Sequence, residues 1–125
     1  MDKQLMEVVL PRLARPLYQQ LEHFQSGKLS EKQFTARFEA ILRRQHEWLA
    51  RRGVEAARAA VAIHAAVLVL SLPGLRAEAV EANEPLEVVE FRALREAARD
   101  VAKNYGLSEG RAIRALTSLV AHYGD

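Results

Sequence analysis

The nineteen residues from 54 to 72, VEAARAAVAIHAAVLVLSL, constrain the fold more than any other part of the chain. Read as an α-helix, their first half keeps a polar side with Glu55 and Arg58, whereas their second half has none. A helix that is apolar on all sides is normally buried on all sides. At about 1.5 Å per residue this helix would be roughly 28 Å long, about the width of a small domain. We therefore predict that it is the buried central helix of the fold.

The same length also suits a membrane, so composition has to decide between the two environments. Arg58 and His64 interrupt the apolar run and Ala supplies much of it, whereas a membrane span requires about 20 strongly apolar positions. Asp2 and Glu7 lie where an export signal needs positive charge and an unbroken apolar run. The absence of cysteine suits a reducing compartment. We expect a water-soluble, cytoplasmic protein without a membrane partner.

Helical spacing continues on both sides of this segment. Between positions 10 and 24 apolar residues recur every three or four residues, although Pro11 and Pro16 interrupt the pattern and predict a kink or a split. Ser30 and Gln33 have the spacing of a capping box, which marks the start of a second helix. Gly53 is expected either to end that helix or to bend one long helix that continues into residues 54–72.

The second half of the chain contains three further boundary signals. Pro73 and Gly74 are expected to end the central helix, leaving about two turns from residue 75 to residue 82 as a separate helix. The sequence Asn-Glu-Pro at 83–85 predicts the next break, with Pro85 in the first turn of the following helix. Gly106 and Ser108 then predict a helix stop and a new helix cap.

These patterns define the predicted fold. No segment shows the alternation of β-branched and polar residues that a strand requires. The 125 residues are close to the usual size of one domain. We predict an all-α protein in which residues 1–125 form a single antiparallel bundle of five or six helices around residues 54–72.

The histidines are the strongest candidates for chemistry, but none lies in a recognised motif. His46-Glu47 begins like a zinc-protease motif, yet Ala50 and Arg51 stand at the positions four and five residues on where a second histidine would be expected. We predict no metal, no cofactor and no enzyme. His64 is the one ionisable group in the apolar half of the central helix. It is interpreted as a neutral core or interface histidine, with a catalytic or phosphotransfer histidine as the alternative. Burial of His64 without an adjoining cavity would exclude that alternative.

A short segment near the C-terminus resembles the turn of the helix-turn-helix DNA-binding motif. Ala102, Gly106, Leu107 and Ser108 match the small residue, the glycine, the apolar residue and the cap of that motif. The resemblance covers about 20 residues, and Ala112 departs from the branched apolar residue that the motif prefers. It implies a nucleic-acid-binding surface with these residues: Arg92, Arg95, Arg99, Arg111, Arg114 and Thr117.

Three classes of function follow from the sequence. The first is a non-enzymatic protein that acts through protein–protein interaction, most simply as a homodimer, because a small chain has little surface to cover so apolar a helix. Its core or interface candidates are Ile63, His64, Val67 and Leu70. The second is the nucleic-acid binder just described, and the third is a small histidine-dependent catalytic bundle. The sequence identifies no small-molecule ligand.

Overall fold

The computed structural model describes residue 12 and residues 14–123, and this part of the chain is helical without any strand. The prediction of an all-α protein is therefore confirmed. Five helices pack together over the described residues: α1 (Arg15–Gln25), α2 (Glu31–Ala50), α3 (Ala56–Ala82), α4 (Leu86–Tyr105) and α5 (Glu109–Tyr123).

Helix α3 is the element that the other four share. It contacts each of them, while α1 also packs on α2 and α4 also packs on α5. Each helix contributes one large side chain that is almost completely buried, so one core joins all five. These five side chains are Leu17, Leu49, Ile63, Val101 and Leu116.

The most deeply buried part of α3 consists mainly of alanine. Positions 59–66 hold Ala59, Ala60, Val61, Ala62, Ile63, His64, Ala65 and Ala66, and every apolar residue among them is at most 6% exposed. Small side chains allow neighbouring helix backbones to approach closely. Ala98 of α4 and Ala112 of α5 are equally buried in the same cluster. Close approach of small residues, rather than large rings, therefore forms this core.

The predicted start of α2 is confirmed, and of the two alternatives for Gly53 the structure shows a helix end rather than a bend. The Ser30 hydroxyl accepts the Gln33 backbone N–H at 3.1 Å, and the Gln33 side chain accepts the Ser30 N–H at 3.1 Å. Gly53 adopts a left-handed backbone conformation with φ of 79°. The next residue, Val54, donates its N–H to the Leu49 carbonyl at 3.1 Å. The two helices are thus separate, with no single bent helix across Gly53.

The later boundaries also follow the sequence closely. Asn83 ends α3 in a left-handed conformation with φ of 55°, and Pro85 lies immediately before α4, one residue ahead of the predicted first-turn position. Gly106 ends α4 with φ of 71°. Ser108 then accepts the Arg111 N–H at 3.2 Å and caps α5.

The prediction that Pro73 and Gly74 end the central helix is wrong. Helix α3 continues through both residues to Ala82, so residues 75–82 are not a separate helix. Proline removes one backbone hydrogen bond and costs about 3 kcal/mol in a helix interior. Pro73 and Gly74 are exposed, so the proline ring does not have to fit into a packed core. The following residues, LRAEAVEA, are mainly strong helix formers and extend the helix.

The prediction that the second half of the apolar segment is buried on all sides is also wrong. Residues 67–72 are all only partly buried, although five of the six are large aliphatic residues. Residues 73–78 are exposed except for a partly buried Leu75. The other helices therefore cover α3 along its first half and leave much of its second half accessible.

The predicted kink in the first segment falls partly outside the described residues, since Pro11 is not among them. Pro16 lies in the first turn of α1, where its missing N–H has no helical acceptor to lose.

Candidate functional site

A cleft of about 370 Å³ opens between α1, α2, α3 and α4. Its volume is in the range of small-molecule sites, which are typically 300–1,000 Å³ and mainly apolar. Large aliphatic and aromatic side chains from three helices form most of its wall: Leu17, Leu21, Phe38, Leu42, Ile63, Val67, Leu68 and Leu75. We refer to it as the His64 cleft.

Three polar residues of α3 line the His64 cleft at intervals of seven residues. His64, Ser71 and Glu78 are separated by about two helical turns each, so they lie on one side of the helix. The Ser71 hydroxyl donates to the Val67 carbonyl at 2.8 Å. Its oxygen lone pairs remain available as hydrogen-bond acceptors. The row of polar groups thus follows the cleft from His64 in the most deeply buried part of α3 to the exposed Glu78.

His64 is held in one orientation by its own helix. Its Nδ1 lies 2.8 Å from the Ala60 carbonyl oxygen, which can only accept, so Nδ1 carries the proton and Nε2 bears a lone pair in the neutral ring. Burial lowers the pKa of His64 below its ordinary value of 6.5, and the hydrogen bond to Ala60 and the Asp100 carboxylate offset part of this effect. His64 is therefore a neutral hydrogen-bond acceptor at pH 7.

A second histidine lies near His64 on another helix. His46 of α2 has its Nε2 2.8 Å from the Tyr105 hydroxyl of α4, and the two rings stack with centroids 5.3 Å apart. Burial lowers the pKa of His46, and the proximity of His64 lowers it further. Burial also raises the pKa of the Tyr105 hydroxyl. This pair joins α2 to α4 as a neutral hydrogen-bonded contact.

The charged residues of the His64 cleft are all acidic. Glu78 of α3 and Glu96 and Asp100 of α4 line it, and its described lining contains no lysine or arginine. The whole chain, by contrast, has a net charge of +2. The three carboxylates are exposed, so they form the rim of the cleft rather than its floor.

The four predicted core or interface residues are not equally buried. Ile63 is 1% exposed and belongs to the core, whereas Val67 and Leu70 are partly buried and pack against it. Ile63, His64 and Val67 line the cleft; Leu70 is not among its lining residues. Burial of His64 without an adjoining cavity would have excluded catalysis at this residue. His64 lines a cavity, so catalysis there is not excluded on this ground.

The predicted nucleic-acid-binding residues are exposed, but two of the arginines face carboxylates. Arg92 lies 3.1 Å from Glu84 and Arg99 lies 3.5 Å from Glu109. Arg114 donates to the Gly110 carbonyl at 3.1 Å, and Thr117 donates to the Ile113 carbonyl at 2.6 Å, both within α5. Arg95 and Arg111 are the remaining exposed members of this set. Residues 86–123 contain six basic and five acidic residues, so the region has little excess positive charge.

No cluster of three or more His, Cys, Asp or Glu side chains suited to a metal ion occurs within the residues described. His46 and His64 are close enough for an electrostatic interaction, but they are not part of such a cluster. By length and composition α3 is also apolar enough to cross a membrane, a property that core helices of soluble proteins share.

Sequence reasoning missed the acidic rim. None of Glu78, Glu96 and Asp100 was among the predicted site residues. The sequence contained two signals for this rim. His64, Ser71 and Glu78 recur every seven residues, and Glu96 and Asp100 lie one helical turn apart, beside Ala93 and Ala97. Neither pattern alone shows that α3 and α4 place these residues around a common cavity.

Comparisons of the chain with protein-family models, curated proteins and solved structures gave no significant match.

Proposed function

We propose that this protein is a non-enzymatic, water-soluble interaction protein and that the partner of its accessible α3 surface is a second copy of the chain. The observation that carries the proposal is the incomplete cover of the second half of α3. Burying one valine or leucine stabilises a protein by roughly 1.5–3 kcal/mol, so several partly exposed aliphatic residues favour a partner that covers them.

One face of α3 supports this proposal more than the others. Val69, Leu72, Arg76 and Val80 recur at spacings of three or four residues along α3, and none of them lines the His64 cleft. Val69 and Leu72 are partly buried, and Val80 is 82% exposed. We refer to these four residues as the α3 stripe.

The order of residues in the α3 stripe suits pairing with an identical stripe. Two antiparallel copies place Val69 of one chain near Val80 of the other, with Leu72 against the aliphatic part of Arg76. Such a contact uses the same surface on both chains, as a two-fold dimer requires. The arginine head group can remain in water while its methylene groups cover the leucine.

Light scattering coupled to size exclusion at micromolar concentrations tests this proposal. We expect a dimer mass for the native chain and a monomer mass for a Leu72→Glu, Val80→Glu double variant, because two carboxylates in an apolar contact are strongly unfavourable. Phe91→Glu is the matched control. Phe91 is also a large exposed apolar residue, at 55%, but it lies on α4 beside α5.

Three results would contradict the proposal. The native chain could be a strict monomer over the whole concentration range. The double variant could retain the dimer mass. The native chain could also sediment with neutral phosphatidylcholine vesicles, which would assign the accessible half of α3 to a bilayer.

The proposed architecture is an antiparallel bundle with α3 as its central helix. The contacts of α3 with all four other helices support the central position. The short turns at 26–30, 51–55, 83–85 and 106–108 support the antiparallel course, because short connections place consecutive helices side by side in opposite directions. In this arrangement residues 1–125 act as one domain, and a cytoplasmic location remains our expectation.

Nucleic-acid binding by α4 and α5 is the second candidate. The left-handed Gly106 followed by the Ser108 cap favours it, because this turn resembles that of helix-turn-helix proteins and places Arg111 and Arg114 on an exposed helix. Salt-sensitive binding to duplex DNA, weakened by a combined Arg111→Ala, Arg114→Ala variant, would support it. Lack of binding at about 50 mM salt would contradict it.

A further inference from the structure

The lining of the His64 cleft includes none of the four residues of the α3 stripe, so its use does not depend on self-association. Its floor is apolar and comes from α1, α2 and α3, with Leu17, Phe38, Ile63 and Leu68 among its members. Its volume of about 370 Å³ is that of a small-molecule site. A stable protein interface buries about 800 Å² on each partner, which is more than a small-molecule site of this volume provides.

The polar groups that α3 contributes to the cleft accept hydrogen bonds, while Tyr18 and Gln25 of α1 can both donate and accept. Ser71 already donates its hydroxyl proton to Val67, and Nδ1 of His64 already donates to Ala60. Because Nδ1 is turned toward the carbonyl of its own helix, the opposite edge of the ring, which carries the Nε2 lone pair, is the edge directed away from that backbone.

The charge of the cleft adds a second constraint. Glu78, Glu96 and Asp100 carry three negative charges at the rim, and no basic side chain among the described lining residues balances them. A carboxylate or phosphate ligand would be repelled. An ammonium group carries a positive charge and three donors without any acceptor, which complements both the rim and the acceptors on α3.

We infer that the His64 cleft binds a small molecule that has an apolar body and one cationic amine. The apolar body lies against the leucine and phenylalanine side chains of the floor. The ammonium group lies at the rim, where it donates to the carboxylates of Glu96 and Asp100.

Calorimetry at pH 7 with three probes of equal chain length tests the inference. The probes are decylamine, 1-decanol and decanoate, each kept below the concentration at which it forms micelles. We expect one decylamine per chain, weaker binding of decanol and no binding of decanoate. Backbone amide shifts in nuclear magnetic resonance spectra should change at Ser71 and Asp100 when decylamine binds.

Two kinds of variant separate charge recognition from apolar binding. A Glu96→Gln, Asp100→Asn variant should weaken decylamine about 3- to 30-fold, because exposed ion pairs contribute up to about 1 kcal/mol each, and should leave decanol unchanged. Glu87→Gln is the matched control, because Glu87 is exposed on α4 but does not line the cleft. Ala97→Leu should weaken both probes by filling the cleft, with circular dichroism confirming that the variant folds.

The inference is overturned if decylamine does not bind the native chain or if decanoate binds as tightly as decylamine. It is equally overturned if the Glu96→Gln, Asp100→Asn variant binds decylamine as the native chain does. The exposed positions of these two carboxylates allow that variant to fold, so the result does not depend on the Ala97→Leu variant.

Discussion

Two neighbouring parts of α3 differ in burial, and the part with the larger apolar side chains is the less buried of the two. Residues 59–66 consist mainly of alanine and are buried by the other four helices. Residues 67–72 are mainly valine and leucine, and yet they remain partly exposed. Small side chains allow residues 59–66 to be surrounded closely, whereas the larger side chains of residues 67–72 line the cleft or remain partly exposed. Apolar character therefore indicates which residues favour burial, but the lengths and positions of neighbouring helices decide which are buried.

The largest expected difference between the two halves is in the cost of truncating an aliphatic side chain. Ile63→Ala should lower the free energy of unfolding by about 2–5 kcal/mol, because Ile63 is 1% exposed and its removal leaves a cavity. Leu72→Ala should cost about 1 kcal/mol or less, since Leu72 is only partly buried. Urea denaturation of both variants at a concentration where the chain is monomeric measures the difference. Equal losses would contradict the unequal cover of α3.

Pro73 provides the next test, because it lies in the accessible half and inside a continuous helix. Pro73→Ala should raise the free energy of unfolding by up to about 3 kcal/mol, since alanine restores the missing N–H and removes the clash with the preceding turn. Circular dichroism and urea denaturation measure this effect. A loss of stability would indicate that the helix ends at Pro73, as the sequence pattern suggested.

The titration of His64 links the buried half to the cleft. Its pKa in the folded state lies below 6.5, so the unfolded chain binds more protons as the pH falls below that value. Stability should therefore be complete above about pH 6.5 and should be lost as the pH falls toward the folded pKa, by up to about 1.4 kcal/mol per pH unit for one group. His46 contributes in the same direction.

Urea denaturation between about pH 7.5 and about pH 5 checks this dependence. The His64→Gln variant should show a smaller decline than the native chain over that range. His23→Gln is the control because His23 is exposed at the end of α1. A decline in His64→Gln as steep as in the native chain would show that His64 is not the titrating group.

Local signals allowed most of the helix boundaries to be predicted. The capping box at Ser30, the left-handed Gly53 and Gly106, and the Ser108 cap depend on residues close together in the chain, so the sequence contains the information directly. The prediction at Pro73 was wrong because the rule that proline ends a helix considers only neighbouring residues. Pro73 lies on an exposed part of α3, where the helix tolerates the missing hydrogen bond. The favourable residues after Pro73 offset its cost.

The His64 cleft was less accessible to prediction. The sequence marked His64 as unusual, but the acidic rim comes from Glu78 on α3 and Glu96 and Asp100 on α4. Their proximity depends on how α3 and α4 pack, which no local pattern specifies. The partial exposure of residues 67–72 depends likewise on how the other four helices pack against α3.

The unequal burial of α3 and its self-association are tested most directly by the accessibility of single cysteines. The chain has no native cysteine, so each introduced thiol is the only one present. In separate variants, Leu72→Cys and Ala66→Cys are labelled with a maleimide at rising protein concentration. Because Leu72 is partly exposed and belongs to the α3 stripe, we expect rapid labelling at position 72 in dilute protein and slower labelling as dimers form. Because Ala66 is buried, we expect protection at position 66 at every concentration. Equal protection of both positions in dilute protein, or labelling at position 72 that does not change with concentration, would contradict these expectations.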